Sequence, residues 1–217
     1  MASELSREDI LQQLCQLRDG EAKTWNLQIK HDTAGARDGV NLHGSCDSHT
    51  VLAVYSGVTF QQDDKMLPLV LNGNSYVLAR RDGVIIDGRP HGLSLQLFET
   101  AFRRDLARTH RANAYPGLTV EDVLSREQAL GNMVNHPPAG AAPNVVVVPL
   151  DLWEGEAGEL SESEILDCSV SFQPPTAGAP CKQTAVLVSR TALCDEELLL
   201  DYKLRPQGPL ESWYKPC

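Results

Sequence analysis

Between Trp25 and Gly88 the apolar residues come in short bursts, "WNLQIKH", "GVNLH", "HTVLAVYSGVTF" and "SYVLARRDGVIIDG", each rich in β-branched or aromatic residues and set apart by Gly, Asp or Asn. A helix that packs by one face needs a longer run with apolar positions three and four apart. These bursts are too short and too often interrupted for that, so they predict short strands and small sheets. With 217 residues, 42% of them hydrophobic and 22% charged, the chain can bury one substantial core without staples. The expected fold class is mainly β with a helical insert.

The periodicity turns helical in two places. Ser6, with Glu8 and Asp9 behind it, makes a helix start, and Ile10, Leu11, Leu14 and Leu17 recur at helical spacing until Asp19 and Gly20 end the run. This sets residues 1–24 apart as an N-terminal helix ahead of a domain over 25–217. The insert is expected at about 92–130, first in "SLQLFETAFRRDLARTH" and then, past "YPG", in "TVEDVLSREQAL", where Thr119 caps with Asp122 three residues on. Strands return in "PNVVVVPLDLW" and "KQTAVLVSRTAL"; 154–164 reads as a solvated acidic loop or helix start, and 173–180 as a turn.

Charge and cysteine usage narrow the function. Lys and Arg number 19 against 29 Asp and Glu, a net charge of −10, which argues against a nucleic-acid binder that relies on counterion release. A basic partner suits such a surface, although acidity also serves plain solubility. The six cysteines are scattered, with no Cys-x-x-Cys pair and no histidines at finger spacing, so no metal site is expected and a reducing, intracellular compartment is, nucleus or cytoplasm alike. The N-terminus lacks the basic start and apolar run of a signal peptide, and no apolar run reaches membrane length.

The stretch "CDEELLLDYKL" from position 194 is ambiguous by itself. Glu, Leu and Lys favour helix, and Leu193, Glu197, Leu200 and Leu204 would share a helical face, whereas the β-rich run just before it favours a turn and strand. Its wording resembles something more specific. "DEELLLDY" is similar to the C-terminal motif of SET-domain methyltransferases, where Glu-Glu-Leu is followed two residues later by Asp-Tyr. Upstream and in the family's order, "VYSG" (Tyr55, Gly57) is similar to its Tyr-x-Gly, "GVIIDG" to its Ile-Asp segment, "GNMVNHPP" (131–138) to its Asn-His motif, and "PNVVVV" to the strand element that follows. "RDGV" (37–40) stands where the family has a Gly-x-Gly turn, and the resemblance spans positions 31–204.

That resemblance implies a SET-domain fold: small curved β-sheets with a C-terminal segment threaded, knot-like, beneath a loop. It implies S-adenosyl-L-methionine as cofactor and transfer of methyl groups to a lysine side chain of a basic protein substrate, by a monomer with no direct nucleic-acid or membrane partner. Tyr202 and Tyr55 would lie at the reaction centre as catalytic residues, Asn135 and His136 would contact the cofactor, and Arg37 and Gly39 would approach its methionine portion. The implied geometry is a turn at Cys194–Glu197, a short strand, and Tyr202 close to Asn135 across 66 intervening residues. Taken singly, each residue has a plainer reading: Tyr202 a buried strand-end tyrosine, Tyr55 a core residue, "VNHPP" a strand-ending turn, and Asp87, Glu196 and Glu197 turn-fixing groups. Pro137, Asp195 and Arg37 depart from the family's pattern. Arg37 and Pro137 leave open a catalytically weakened or inactive SET-like protein that acts as an interaction module, and coincidental motif matches would leave an unrelated α+β interaction protein.

Overall fold

A computed structural model of the protein describes residues 5–19, 23–31, 38–109, 117–153 and 164–203. Arg37, the acidic stretch 154–163 and Leu204 fall outside these ranges. The bursts of the first half do form strands, gathered in three small sheets. In the first, β1 (Trp25–Lys30) and β10 (Leu193–Glu197) flank β2 (Gly39–Cys46), all antiparallel. In the second, β3 (Val51–Val54) and β7 (Val145–Leu152) flank β9 (Lys182–Ser189), again antiparallel. The third runs β5 (Val77–Ala79), β6 (Ile85–Asp87), β4 (Gly57–Phe60), β8 (Ser169–Ser171), with β4 and β8 parallel. The architecture is mainly β with a few helices.

The helices cover apolar faces that the sheets leave open. α1 (Arg7–Asp19) begins at a reciprocal cap in which Ser6 and Asp9 exchange hydrogen bonds. Its Ile10 and Leu14 sink into a core cluster with Val51, Phe60, Leu150 and Leu152, which also takes Phe98 and Phe102 from α3 (Gly92–Arg108). A second cluster, with Val40, Leu42, Leu52, Tyr55, Ile86, Leu187 and Leu198, lies under the first sheet. Arg80 is buried between the sheets, bonding Asp151 at 2.7 Å and the carbonyl of Thr184 at 2.8 Å, so its charge is paired and its donors are used. Among the described residues no helix is long and apolar enough to cross a membrane.

Three local expectations need correction. The second helix of the insert, α4 (Val120–Leu124), starts at the expected Thr119–Asp122 capping box but lasts five residues, followed by a 3-10 turn at Glu127–Ala129. Leu130 is drawn into a β-bridge with Tyr55, and that tertiary pairing overrides helix propensity. The segment at 194–197 is a strand with an irregular register at Asp195, so the expected turn is absent. Finally, α2 (Leu67–Leu71), with Pro68 in its first turn, and β8 are elements that the sequence pattern did not predict.

Because α1 shares the main core, its anchor is a measurable part of the stability. Leu14 is fully buried, and Leu14→Ala is expected to destabilise the protein by about 2–5 kcal/mol, as cavity-forming core substitutions do. The urea midpoint checks this; an unchanged midpoint would mean that α1 is a detachable appendage.

Candidate active site

The segment after β10 is where distant parts of the chain meet. Leu198 donates its N–H to the carbonyl of Val40 (2.8 Å), and Leu200 donates to the carbonyl of Asn135 (2.8 Å). Leu199 donates to Oδ1 of Asn144 (2.7 Å), and its carbonyl accepts from the N–H groups of Asn144 (3.0 Å) and Val145 (3.2 Å). Strand propensity alone would not hold this short run. It is extended because β2, the Asn-His segment and the start of β7 each supply it with backbone partners, and Leu198 and Leu200 alternate into the core.

This clamp delivers Tyr202. Its hydroxyl donates to the carbonyl of Val134 at 2.9 Å, its backbone N–H donates to Nδ1 of His136 at 3.3 Å, and the two rings lie 5.4 Å apart between centroids. That bond makes Nδ1 of His136 an acceptor, which places the proton of a neutral imidazole on Nε2. Tyr202, Asn135 and His136 are thus brought together as the motif order implied. Tyr55, buried in the second core cluster, donates its hydroxyl to the carbonyl of Tyr76 at 3.1 Å. Burial first, and then the neighbouring Tyr202, Asp87 and Tyr76, push its phenol far above its ordinary pKa.

Gly39 belongs to the same cluster. A Cβ at this position would fall 2.5 Å from Oε1 of Glu197 and 2.7 Å from Nδ2 of Asn135, so a larger residue would push the ends of those side chains aside. Nδ2 of Asn135 donates to Oε1 of Glu197 at 3.1 Å. The Asn135 side chain therefore meets Glu197, a residue whose sequence position suggested only a turn fixer. Two strand positions from Gly39 and on the same face, Asn41 has a buried Oδ1 without a hydrogen-bond partner among the described residues. Oδ1 of Asn41 and the Glu197 carboxylate are acceptors on this face. Arg37, the other residue assigned to this end, lies outside the described residues.

Asp195 takes a left-handed conformation (φ +48°), which aspartate tolerates better than most residues, and its Oδ1 accepts from the N–H of Gly44 at 2.8 Å. Pro137 is buried directly after the Asn-His pair. Asn144 was not singled out by sequence, yet its side chain bonds the carbonyl of Glu197 (2.8 Å), Oε2 of Glu196 (3.0 Å) and the N–H of Leu199. Its place in "PNVVVV", just ahead of a strand, was the available signal. Among the described residues no group of three or more His, Cys, Asp or Glu side chains could hold a metal ion.

No family model and no curated protein matches the chain. Among solved structures it is similar to a candidate histone methyltransferase of Plasmodium falciparum, with 10% identity and a TM-score of 0.39 over 82% of this chain and 98% of the other. It is also similar to CpSET8 from Cryptosporidium, with 17% identity and a TM-score of 0.43 over 83% of this chain, a match that spans 58% of that protein.

Proposed function

We propose that the protein is an S-adenosylmethionine-dependent methyltransferase of the SET-domain kind that acts on lysine side chains of a basic protein, as a monomer. The observation that carries this reading is the seating of Tyr202 against Val134 and His136, with Asn135, Glu197 and Gly39 gathered beside it. Within the family, the motif order resembles that of SET domain-containing protein 9. The reading includes a knot-like threading of residues 198–202 past the 134–136 segment.

The acceptor-rich face fits the cofactor's chemistry. Its methionine portion carries an ammonium, which Oδ1 of Asn41 and the Glu197 carboxylate, with Asn135 beside them, would hold by charge-assisted hydrogen bonds. When bound, the cofactor supplies an electrophilic sulfonium methyl. The protein's task is then alignment and handling of a neutral amine. By donating to the Val134 carbonyl, the Tyr202 hydroxyl fixes its own rotation, so its oxygen has a set direction in which to receive an N–H of the attacking amine. Tyr55 stays protonated and adds no phenolate charge to the neighbourhood. A lysine ammonium must shed its proton before it can attack, and an environment without nearby phenolate charge favours the neutral amine.

S-adenosylmethionine is expected to raise the melting temperature of the wild type, and the shift to vanish in Asn135→Ala. Tyr202→Phe should retain the shift while lowering labelled-methyl transfer into lysate protein by about a hundredfold or more, the usual cost of a lost transition-state hydrogen bond. Absence of both shift and transfer in the wild type overturns the reading; a shift without transfer indicates an inactive SET-like module.

Tyr55 yields a prediction in pH. Its folded pKa lies above the unfolded value of about 10, so below that pH neither state ionises. Above it the unfolded chain releases the proton and the folded chain does not, and stability falls as pH rises. Tyr55→Phe is expected to be weaker by about 1 kcal/mol at pH 8, from the lost bond to Tyr76, yet to lose less stability between pH 9 and 11. Equal slopes in urea titrations of the two proteins would show that the phenol ionises within the fold.

A further inference from the structure

Pro137 sits where a backbone donor is wanted. The Asn-His segment and the run after β10 pair through a parallel bridge between Asn135 and Leu199, in which Leu200 donates its N–H to the carbonyl of Asn135 at 2.8 Å. In a parallel pairing the bonds alternate between the chains, so the next would run from the N–H of residue 137 to the carbonyl of Leu200. Proline has no N–H, and that bond cannot form. Beyond it, the N–H of Tyr202 goes to a side chain, Nδ1 of His136, at 3.3 Å. Between Leu200 and Tyr202, backbone pairing hands over to an imidazole.

We propose that the His136 side chain is the positioning residue for Tyr202, its Nδ1 continuing the backbone pairing that Pro137 interrupts. Val134 and His136 stand two residues apart, and between them they grip Tyr202 at both ends: the Val134 carbonyl accepts from its hydroxyl at 2.9 Å, and His136 accepts from its backbone N–H. The two rings lie against each other, tilted by 48°. Directly afterwards the chain turns away, with Lys203 in a left-handed conformation (φ +49°) and its N–H on Oδ1 of Asp201 at 2.9 Å. A hydroxyl that must meet an attacking amine tolerates little displacement, since a misplacement of about 1 Å costs a reaction about a hundredfold. The motif resemblance assigned His136 a contact with the cofactor; its imidazole here has a separate task, exerted through Tyr202. The grip itself stands on these contacts, whereas its bearing on methyl transfer rests on the reading above.

The test pairs NMR with activity on the whole protein. Long-range proton–nitrogen correlation of the wild type is expected to show the neutral His136 ring protonated on Nε2 and bare on Nδ1. The Tyr202 amide should exchange with solvent about tenfold faster or more in His136→Leu, and within about threefold of the wild-type rate in His136→Asn, whose Oδ1 can stand where Nδ1 stands. Leucine and asparagine have nearly the same shape, so packing alone would not separate the two variants. Labelled-methyl transfer into lysate protein at saturating S-adenosylmethionine should follow the same order, with a loss of about tenfold or more in His136→Leu that is largely recovered in His136→Asn. If the wild type transfers no methyl group, the reading above fails while the tautomer and the exchange rates still judge the grip. A wild-type ring protonated on Nδ1, unchanged exchange in His136→Leu, or equal transfer by the two variants of an active protein overturns the proposal. Should His136→Leu fail to fold, the tautomer and His136→Asn decide: exchange in the asparagine variant about tenfold faster than in the wild type overturns it.

Discussion

The backbone of Leu198–Leu200 is held from three directions, by Val40 in β2, by Asn135, and by Asn144 with Val145 at the head of β7. No two of these three sites adjoin in sequence. Each hydrogen bond is worth only about 1 kcal/mol net, but a buried group deprived of its partner costs more than that, so the partners depend on one another. If the segment left, Val40 and Asn135 would each have a carbonyl to satisfy, and Oδ1 of Asn144 would lose the N–H of Leu199. The first sheet, the Asn-His segment and the second sheet are joined at this point.

The candidate site follows from the same contact. Continuing beyond Leu200, the chain has to pass His136, and Tyr202 turns its hydroxyl to Val134. Preceding Leu198, it has to leave β2 beside Gly39, and Glu197 meets Asn135. Arrangement of polar groups on this face therefore requires no loop held by its own side chains. It is set by β2, β10 and the backbone bridges that join Asn135 to Leu199 and Val145 to Leu200.

Much of this was legible in the sequence, for identifiable reasons. Alternating or continuous β-branched runs gave β2, β3, β7 and β9, and the Ser6 and Thr119 caps marked where α1 and α4 begin, because those signals are local. The proximity of Tyr202 to Asn135 came from motif order, which carries long-range information that composition does not. β8 is three residues long and exists because β4 offers it a parallel partner, so nothing within "SVS" announces it. The length of α4 was set by the Tyr55–Leu130 bridge, again a partner outside the segment. Glu197 was misjudged because its adjacency to Glu196 suggested one shared task, while the strand sends Glu197 to Asn135 and Glu196 to Asn144 and the N–H of Cys194.

The irregularity between β2 and β10 governs which of those glutamates faces Gly39. Cys194 is opposite Ser45 and Glu196 is opposite Leu42, so His43 and Gly44 together span the single Asp195. Without the extra residue Glu196 would pair with His43, on the Gly39 side, and Glu197 would turn to the side of Leu42. Two adjacent glutamates mean that either phase offers a carboxylate to Asn135, so the acid itself cannot select the register. Selection falls to Asp195, whose left-handed backbone and bond to the Gly44 N–H lock the phase. A residue that touches neither Asn135 nor Tyr202 in the contacts described thus acts as the vernier of the whole face, setting by one residue's advance which side chain the polar cluster receives.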